Sequence, residues 1–340
     1  MPPINLTGAT GVSLDSLTIG NALVDVLATV DEGFLVREKI VKGSMNLVEM
    51  SRSKHLHSLV NSRTEMSGGS AANTAYGLAS LGGKAGFIGK ISADRLGESF
   101  AKDLANVGVK FFPGVTCQTE DTGRCLIVVT PDGNRTMNTF LGAASLLDAA
   151  DISREAVQSA AVVMLEGYLF DRDAAKEAFR VAAEYAHAAG RKVALALSDS
   201  FCVDRHRVDF LSLVKNDIDI LFSNEDEIKA LYQVDSINEA LHQLRSDCEF
   251  AAVTRNEHGS VVIDGEEVVI IDAEPVDSVV DATGAGDMYA AGFLYGFVRG
   301  KTIEQCGKIG SIMASEVITH MGPRPLVSLT SVVPKDLLSF

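Results

Sequence analysis

The sequence predicts an α/β fold: a mostly parallel sheet covered by helices on both faces, with a small β appendage. Three observations predict it. From about residue 150 onward, short apolar runs of strand length alternate with longer segments of helical period, the pattern of a parallel sheet with both faces covered. Glycine-rich stretches stand where strands pass into helices, at Gly68-Gly69 and at Gly284-Ala285-Gly286. Turn-rich pieces near residues 26–50 and 110–142 interrupt the repeat and read as two insertions forming one appendage. Residues 1–340 are expected to form one domain carrying both parts.

In chain order, Leu17 to Val30 is rich in β-branched and aliphatic residues and reads as a first strand. Ser70 to Leu81 reads as a helix, Ala85 to Ile88 as a strand, and Leu96 to Val107 has apolar residues at helical spacing. Arg124 to Thr130 and Thr136 to Leu141 flank the turn Pro131-Asp132-Gly133-Asn134, a hairpin signal. Ala161 to Leu165, Lys192 to Leu197, Ile218 to Phe222 and Phe250 to Thr254 read as strands. Helices over Arg172 to Ala189, Asp204 to Lys215, Glu225 to Tyr232 and Ile237 to Arg245 separate them. A hairpin turns at Asp264-Gly265, then a helix follows Gly284 and another covers Thr302 to Thr319.

The 340 residues are 46% hydrophobic and 22% charged, an ordinary globular balance. A net charge of −15 argues against nonspecific binding of nucleic acid or anionic membrane. The five cysteines are scattered and odd in number, with no CxxC pair, which predicts a reduced cytoplasmic protein. Met1 to Asn5 shows no basic-then-apolar leader, and no uncharged apolar run is long enough to span a bilayer.

The most informative stretch is Asp281-Ala282-Thr283-Gly284-Ala285-Gly286-Asp287. N–H groups at a glycine-rich helix start, with the helix dipole, suit an anion such as a transferring phosphate. Asp287 would present a carboxylate there to take a proton from a hydroxyl. The same spacing also suits a strand-to-helix turn capped by aspartates. Gly68-Gly69-Ser70-Ala71-Ala72-Asn73 lets backbone approach a ligand, with Asn73 one turn into the helix; the plainer reading is an N-cap at Ser70 with a buried Asn. Asp25, at the end of the first strand, lies at the expected ligand-binding edge of the sheet or caps a loop. Asn224-Glu225-Asp226-Glu227 offers carboxylates suited to Mg²⁺, or an acidic first turn complementing the helix dipole. Arg135, beside the hairpin turn, could reach over a phosphate. Gly89-Lys90 is not a P-loop, because Ile91 replaces the required Ser/Thr, and neither GxSxG nor HExxH occurs. His55 and His57 read as solvent-facing.

Together these motifs resemble the ribokinase-like, or PfkB, family of carbohydrate and nucleoside kinases. The resemblance runs from about Leu17 to Pro325. Gly68 to Asn73 with Gly89 to Gly97 looks like the family's N-terminal signature, Asp281 to Asp287 like its C-terminal signature, and Asn224 to Glu227 fits its NxxE motif. Within the family the chain is most similar to the adenosine kinase branch, through Gly20 to Asp25, Val30 to Leu35, Thr122 to Cys125, Asn134 to Met137, Leu197 to Phe201 and Asp219 to Glu225. It departs at Met45, where many of that branch carry a Gln that touches the base. It departs also at Ser198-Asp199, and at Asn256 within Thr254 to Gly259, where TxGxxG has Gly.

The resemblance implies a Rossmann-like sheet with a small β-sheet lid made from the insertions at about 26–50 and 110–142. It implies ATP-dependent phosphorylation of a primary hydroxyl, with adenosine to AMP in purine salvage as the leading reading and a ribose- or fructose-type sugar as the alternative. A silent nucleotide-binding protein is a further alternative, disfavoured by the intact Gly284, Gly286 and Asp287. Asn21, Asp25, Gly68, Gly69 and Asn73 would hold sugar hydroxyls, with Met45, Met137 and Tyr168 lining the acceptor site. Asn224, Thr254, Gly259, Thr283, Gly284 and Gly286 would bind ATP, and Asn224 and Glu227 would hold Mg²⁺ through waters. Asp287 would act as base, the N–H groups of Gly284, Ala285 and Gly286 as anion hole, and Arg135 as the lid's positive charge. A monovalent cation (K⁺) is left open, as are a monomer and a homodimer.

Overall fold

The computed structural model describes residues 11–60 and 63–339; the sequence reading at Met1 to Asn5 lies outside them. The first strand, β1 (Leu14–Ile19), is buried throughout. β2 (Leu23–Thr29), helix α1 (Glu32–Arg37), β3 (Met45–Leu47), α2 (Met50–Leu59) and β4 (Thr64–Gly68) follow. Then come α3 (Ser70–Ser80), β5 (Ala85–Gly89), α4 (Arg95–Asn106), β6 (Lys110–Pro113) and the antiparallel pair β7 (Gly123–Val129) and β8 (Arg135–Phe140). The regular repeat runs α5 (Arg154–Gln158), β9 (Ala160–Glu166), α6 (Asp173–Ala188), β10 (Lys192–Ala196), α7 (Ser200–Asn216), β11 (Ile220–Asn224), α8 (Glu225–Tyr232), α9 (Ile237–Asp247) and β12 (Phe250–Thr254). The hairpin β13 (Ser260–Asp264) and β14 (Glu267–Ile271) precedes α10 (Ala285–Val298) and α11 (Ile303–Val317).

The large sheet has the order β14-β13-β12-β11-β10-β9-β1-β5-β6. It is parallel from β6 to β12 and antiparallel through the last hairpin. Alternate residues of β9 serve opposite faces. Val163 and Leu165 pack with α6 to α9, whereas Val162 and Met164 pack with α10 and α11. Because the strands are parallel, Ile19, Gly89, Glu166, Ala196, Asn224 and Thr254 all end on one edge, where open α/β sheets bind ligands. No helix among the described residues is long and apolar enough to cross a membrane.

A second sheet has the order β3-β8-β7-β2-β4. Two expectations need correction here. Leu17 to Val30 is two strands in two sheets, because the chain leaves the large sheet at Gly20, where a Cβ would come within 2.5 Å of the Ala71 methyl. The insertions span 23–68 and 123–140, not 26–50 and 110–142. Lys110–Pro113 is β6, which pairs parallel with β5 and belongs to the large sheet. The first insertion also contains two helices. Phe34 and Leu35 of α1 and Leu56 of α2 pack with Val24, Val26, Leu126 and Val128, so this chain covers that face of the sheet itself. The other face carries Asp25, Cys125, Ile127, Met137 and Thr139, with Met45 beside Met137 in register.

The helix expected over Asp204 to Lys215 starts earlier, at Ser200, because Asp199 caps it by accepting from the N–H groups of Phe201 and Cys202; it is kinked at His206. The C-terminal segment packs on the core: Leu329, Val333 and Leu337 are buried with residues of α3 and α11.

Candidate active site

The site is built where α10 and α3 point their first turns at the second sheet. Gly284 precedes α10 in the left-handed conformation (φ 81°), and a Cβ there would lie 2.7 Å from Pro323, so the turn requires glycine. No side chain caps this helix start. The Ala285 N–H donates to the Ala282 carbonyl at 3.2 Å, which takes it out of the anion hole expected from the sequence. Gly286, in the first turn, lacks an intrahelical acceptor and has open space beside it.

Asp287 projects from that turn. Ser70 Oγ donates to its Oδ1 at 2.5 Å and Asn73 Nδ2 to its Oδ2 at 2.8 Å. Burial pushes its carboxyl up, while these two donors and the charge of Arg324 pull it back. The N-cap of α3 is therefore Gly69 (φ 94°), not Ser70, whose hydroxyl serves Asp287. Asn73 Oδ1 is buried with no protein donor, so it remains open to a hydroxyl.

Asp25 is not at the edge of the large sheet. It lies on β2 of the second sheet, with its carboxylate over Gly68, where a Cβ would be within 2.5 Å of Oδ1. Burial pushes its pKa up to about 6, against Arg324 and Arg135, and Asp287 adds to the rise. Asn21 donates to Glu166 Oε1 at 2.6 Å through its side chain and at 3.3 Å through its backbone. The Ala71 N–H donates to Oε2 at 2.8 Å. Burial pushes Glu166 up to about 7.

Arg135 on β8 reaches from the second sheet to the turn, paired with Asp281 and donating to Thr283 Oγ1 at 3.1 Å. Its Nε and Nη2 are buried without partners. Asp281 also accepts from Gly322 N at 2.8 Å and Thr283 N at 3.1 Å, so one carboxylate ties strand, turn and C-terminal loop together.

On the other side, Asn224 and Glu227 form a capping box at the start of α8. Glu225 is paired with Lys229 and Arg255 instead, so the acidic run does not converge on one point. No cluster of three or more metal-ligating side chains occurs among the described residues. Asn256 takes the left-handed conformation itself (φ 52°), so the loop from Thr254 to Gly259 accommodates Asn where TxGxxG has Gly. Thr254 Oγ1 bonds the Ser223 carbonyl at 3.4 Å. Tyr168 is half exposed as a whole residue; desolvation of its hydroxyl, and then the negative charges of Asp199, Asp287, Glu227 and Glu166, push its pKa up. Met45 is 51% exposed and pairs in register with Met137, giving the site an apolar wall on the second sheet. Lys90 pairs with Asp151 at 2.7 Å and plays no part.

Glu166, Ser70 and Arg324 escaped the sequence reading. Glu166 carried a signal, an acid at the end of the wholly apolar run Ala160 to Leu165. Arg324 lies in the short stretch Gly322-Pro323-Arg324-Pro325, which carries no apolar period to mark it.

The sequence matches the pfkB family carbohydrate kinase model over residues 39–329. The chain belongs to this family. The pfkB fold also matches solved structures over nearly its full length. A probable sugar kinase from Rhizobium etli superposes with a TM-score of 0.88 at 43% identity, covering 96% of this chain and 100% of that one. Adenosine kinase from Sinorhizobium meliloti superposes with a TM-score of 0.86 at 48% identity, covering 94% and 98%. A 5-dehydro-2-deoxygluconokinase from Listeria monocytogenes is 30% identical over 262 residues, covering 74% of this chain and 80% of that protein. As a pfkB kinase, the chain is a phosphotransferase that uses ATP and an alcohol acceptor.

Proposed function

We propose that this kinase phosphorylates the 5′-hydroxyl of a nucleoside, adenosine foremost. The observation that carries the chemistry is Asp287, fixed by Ser70 and Asn73 at the start of α10, beside a helix turn with no side-chain cap. The acceptor is argued from the apolar pair Met45 and Met137 and the half-exposed Tyr168, which suit a base, with Asp25 and Asn73 Oδ1 for sugar hydroxyls. The adenosine kinase of Sinorhizobium meliloti, at 48% identity, supports the same choice. Sugar kinases stand equally near, and the buried, partly polar floor of Asp25 and Asn21 would also serve a sugar.

In this reading, Asp287 takes the proton as the hydroxyl oxygen attacks the γ-phosphorus, and ADP leaves. Gly286 N–H and the free donors of Arg135 meet charge on the transferring group. Closure of the second sheet over the site, as a lid, keeps water from acting as acceptor. Both Glu227 oxygens already accept from Asn224, at 3.0 and 2.7 Å, so these residues fit Mg²⁺ held through its waters rather than directly. Bound there with ATP, the ion would neutralise phosphate charge. The five cysteines are all free, which fits the cytoplasm.

The test is ADP formation from ATP and Mg²⁺ with adenosine, other nucleosides, ribose, fructose and 5-dehydro-2-deoxygluconate as acceptors. Adenosine should give the highest kcat/KM. A sugar outperforming every nucleoside would replace this reading with the sugar kinase one.

A further inference from the structure

The first turn of α3 carries both donors to Asp287, Ser70 and Asn73. Between them stands Ala71, and side chains of the large sheet grip it at both of its backbone groups. Its N–H donates to Glu166 Oε2 at 2.8 Å, from the end of β9. Its carbonyl accepts from Thr18 Oγ1 at 2.9 Å, from β1. Both gripping residues are buried, Thr18 at 0% exposure and Glu166 at 1%. The second Glu166 oxygen accepts from the side chain and backbone of Asn21, so β9 also holds the crossover from β1 to β2.

The need for this grip arises at Gly69. Helix α3 starts so close to the β1–β2 crossover that a Cβ at position 69 would lie 2.1 Å from the Asn21 carbonyl oxygen. The N-cap is therefore glycine, with no side chain to serve the orphan N–H groups of the first turn, and the Ser70 hydroxyl is taken by Asp287. Glu166 supplies the missing acceptor from the sheet, at the positive end of the helix dipole. It reaches Ala71 past Gly20, where a Cβ would lie 2.2 Å from Oε2. The donors that meet this buried carboxylate are neutral amides, a costly way to hold a helix end whose exact position does not matter. Here the position does matter, because shifting the turn shifts both donors to Asp287 together. We propose that Thr18 and Glu166 are positioning residues for phosphoryl transfer: by gripping Ala71 from β1 and β9 they set the first turn of α3, and with it the Ser70–Asn73 clamp that aims the Asp287 carboxylate. The proposal rests on the kinase reading of Asp287 given above.

The experiment measures kcat for wild type, T18V, E166L and E166Q, each with and without S70A/N73A, and amide hydrogen exchange at Ala71. E166L fills the space but removes every acceptor, and should lower kcat by about 10²-fold, the cost of a small misplacement of a reacting group. T18V removes one hydrogen bond and should lower kcat by about 3–10-fold. E166Q still offers a carbonyl oxygen to the Ala71 N–H and should recover most of the rate lost in E166L. With S70A/N73A the clamp is gone, so T18V and E166L should each cost no more than about twofold further, a non-additivity that marks a shared route. Equal losses in both backgrounds, or E166Q as slow as E166L, would overturn the proposal. Should E166L fail to fold, T18V decides by the same comparison. Exchange at Ala71 needs no acceptor, and should quicken by about tenfold in E166L but not in E166Q. An Ala71 amide indifferent to E166L would overturn the grip itself. A normal Ala71 response beside no turnover by wild type would instead place the fault in the kinase reading.

Discussion

Asn73 and Asp287, 214 residues apart in sequence, are joined by a 2.8 Å hydrogen bond from Nδ2 to Oδ2. With Ser70 on Oδ1, it fixes both carboxylate oxygens while leaving each a lone pair for an incoming proton. Replacing Asp287 with Asn keeps the shape but removes the base. Asp287→Asn should lower kcat by roughly 10²–10⁴-fold with acceptor KM little changed. Initial rates at saturating ATP measure it, and near-normal turnover would remove Asp287 from the role.

Gly68 tests the acceptor end. Its φ is ordinary, so Ala is tolerated by the backbone, but the new Cβ would meet the Asp25 carboxylate within 2.5 Å. Gly68→Ala should therefore displace Asp25 and raise the acceptor KM by about tenfold or more, the worth of one charged hydrogen bond. The KM for ATP should stay the same. A rise confined to ATP would show that Asp25 belongs to the nucleotide end.

What the sequence made legible was local. The repeat of strands and helices after residue 150 follows from apolar periodicity, and α8 begins where Asn224 and Glu227, three residues apart, form a capping box. The split between β1 and β2 was hidden, because both strands are apolar and only three residues separate them. The helices of the first insertion were hidden for a different reason: α2 has few apolar residues and draws its stability from packing Leu56 on the sheet. Glu166 and Arg324 have partners 145 and 257 residues away: an acid ending an apolar run marks Glu166 but not its partner, and Arg324, between two prolines, lies in no run at all.

Glu166 makes a prediction about stability. Its pKa rises from 4.5 to about 7 on folding. Between those values the folded chain holds a proton that the unfolded chain has released, so its contribution is fully present below about pH 4.5 and is lost as pH rises towards 7. Glu166→Gln, which is neutral throughout, should flatten the fall in unfolding free energy between pH 5 and 7.5. Parallel curves for the two proteins in urea would show that Glu166 is ionised in the folded state across this range.

Arg135 links the second sheet to the anion turn, and the link uses only Nη1. Nε and Nη2 are buried and idle, a costly arrangement unless an anion completes it. Arg135→Gln should lower kcat by about 10²–10³-fold, the range for loss of one preorganised donor to a developing charge. Arg135→Lys should recover only part, because a point charge cannot copy the fork. Since the same contact holds the sheet against the turn, both variants should release more ADP without acceptor, relative to their rate with it, than wild type. A variant that loses rate with an unchanged ratio would separate the charge of Arg135 from any part in closing the site.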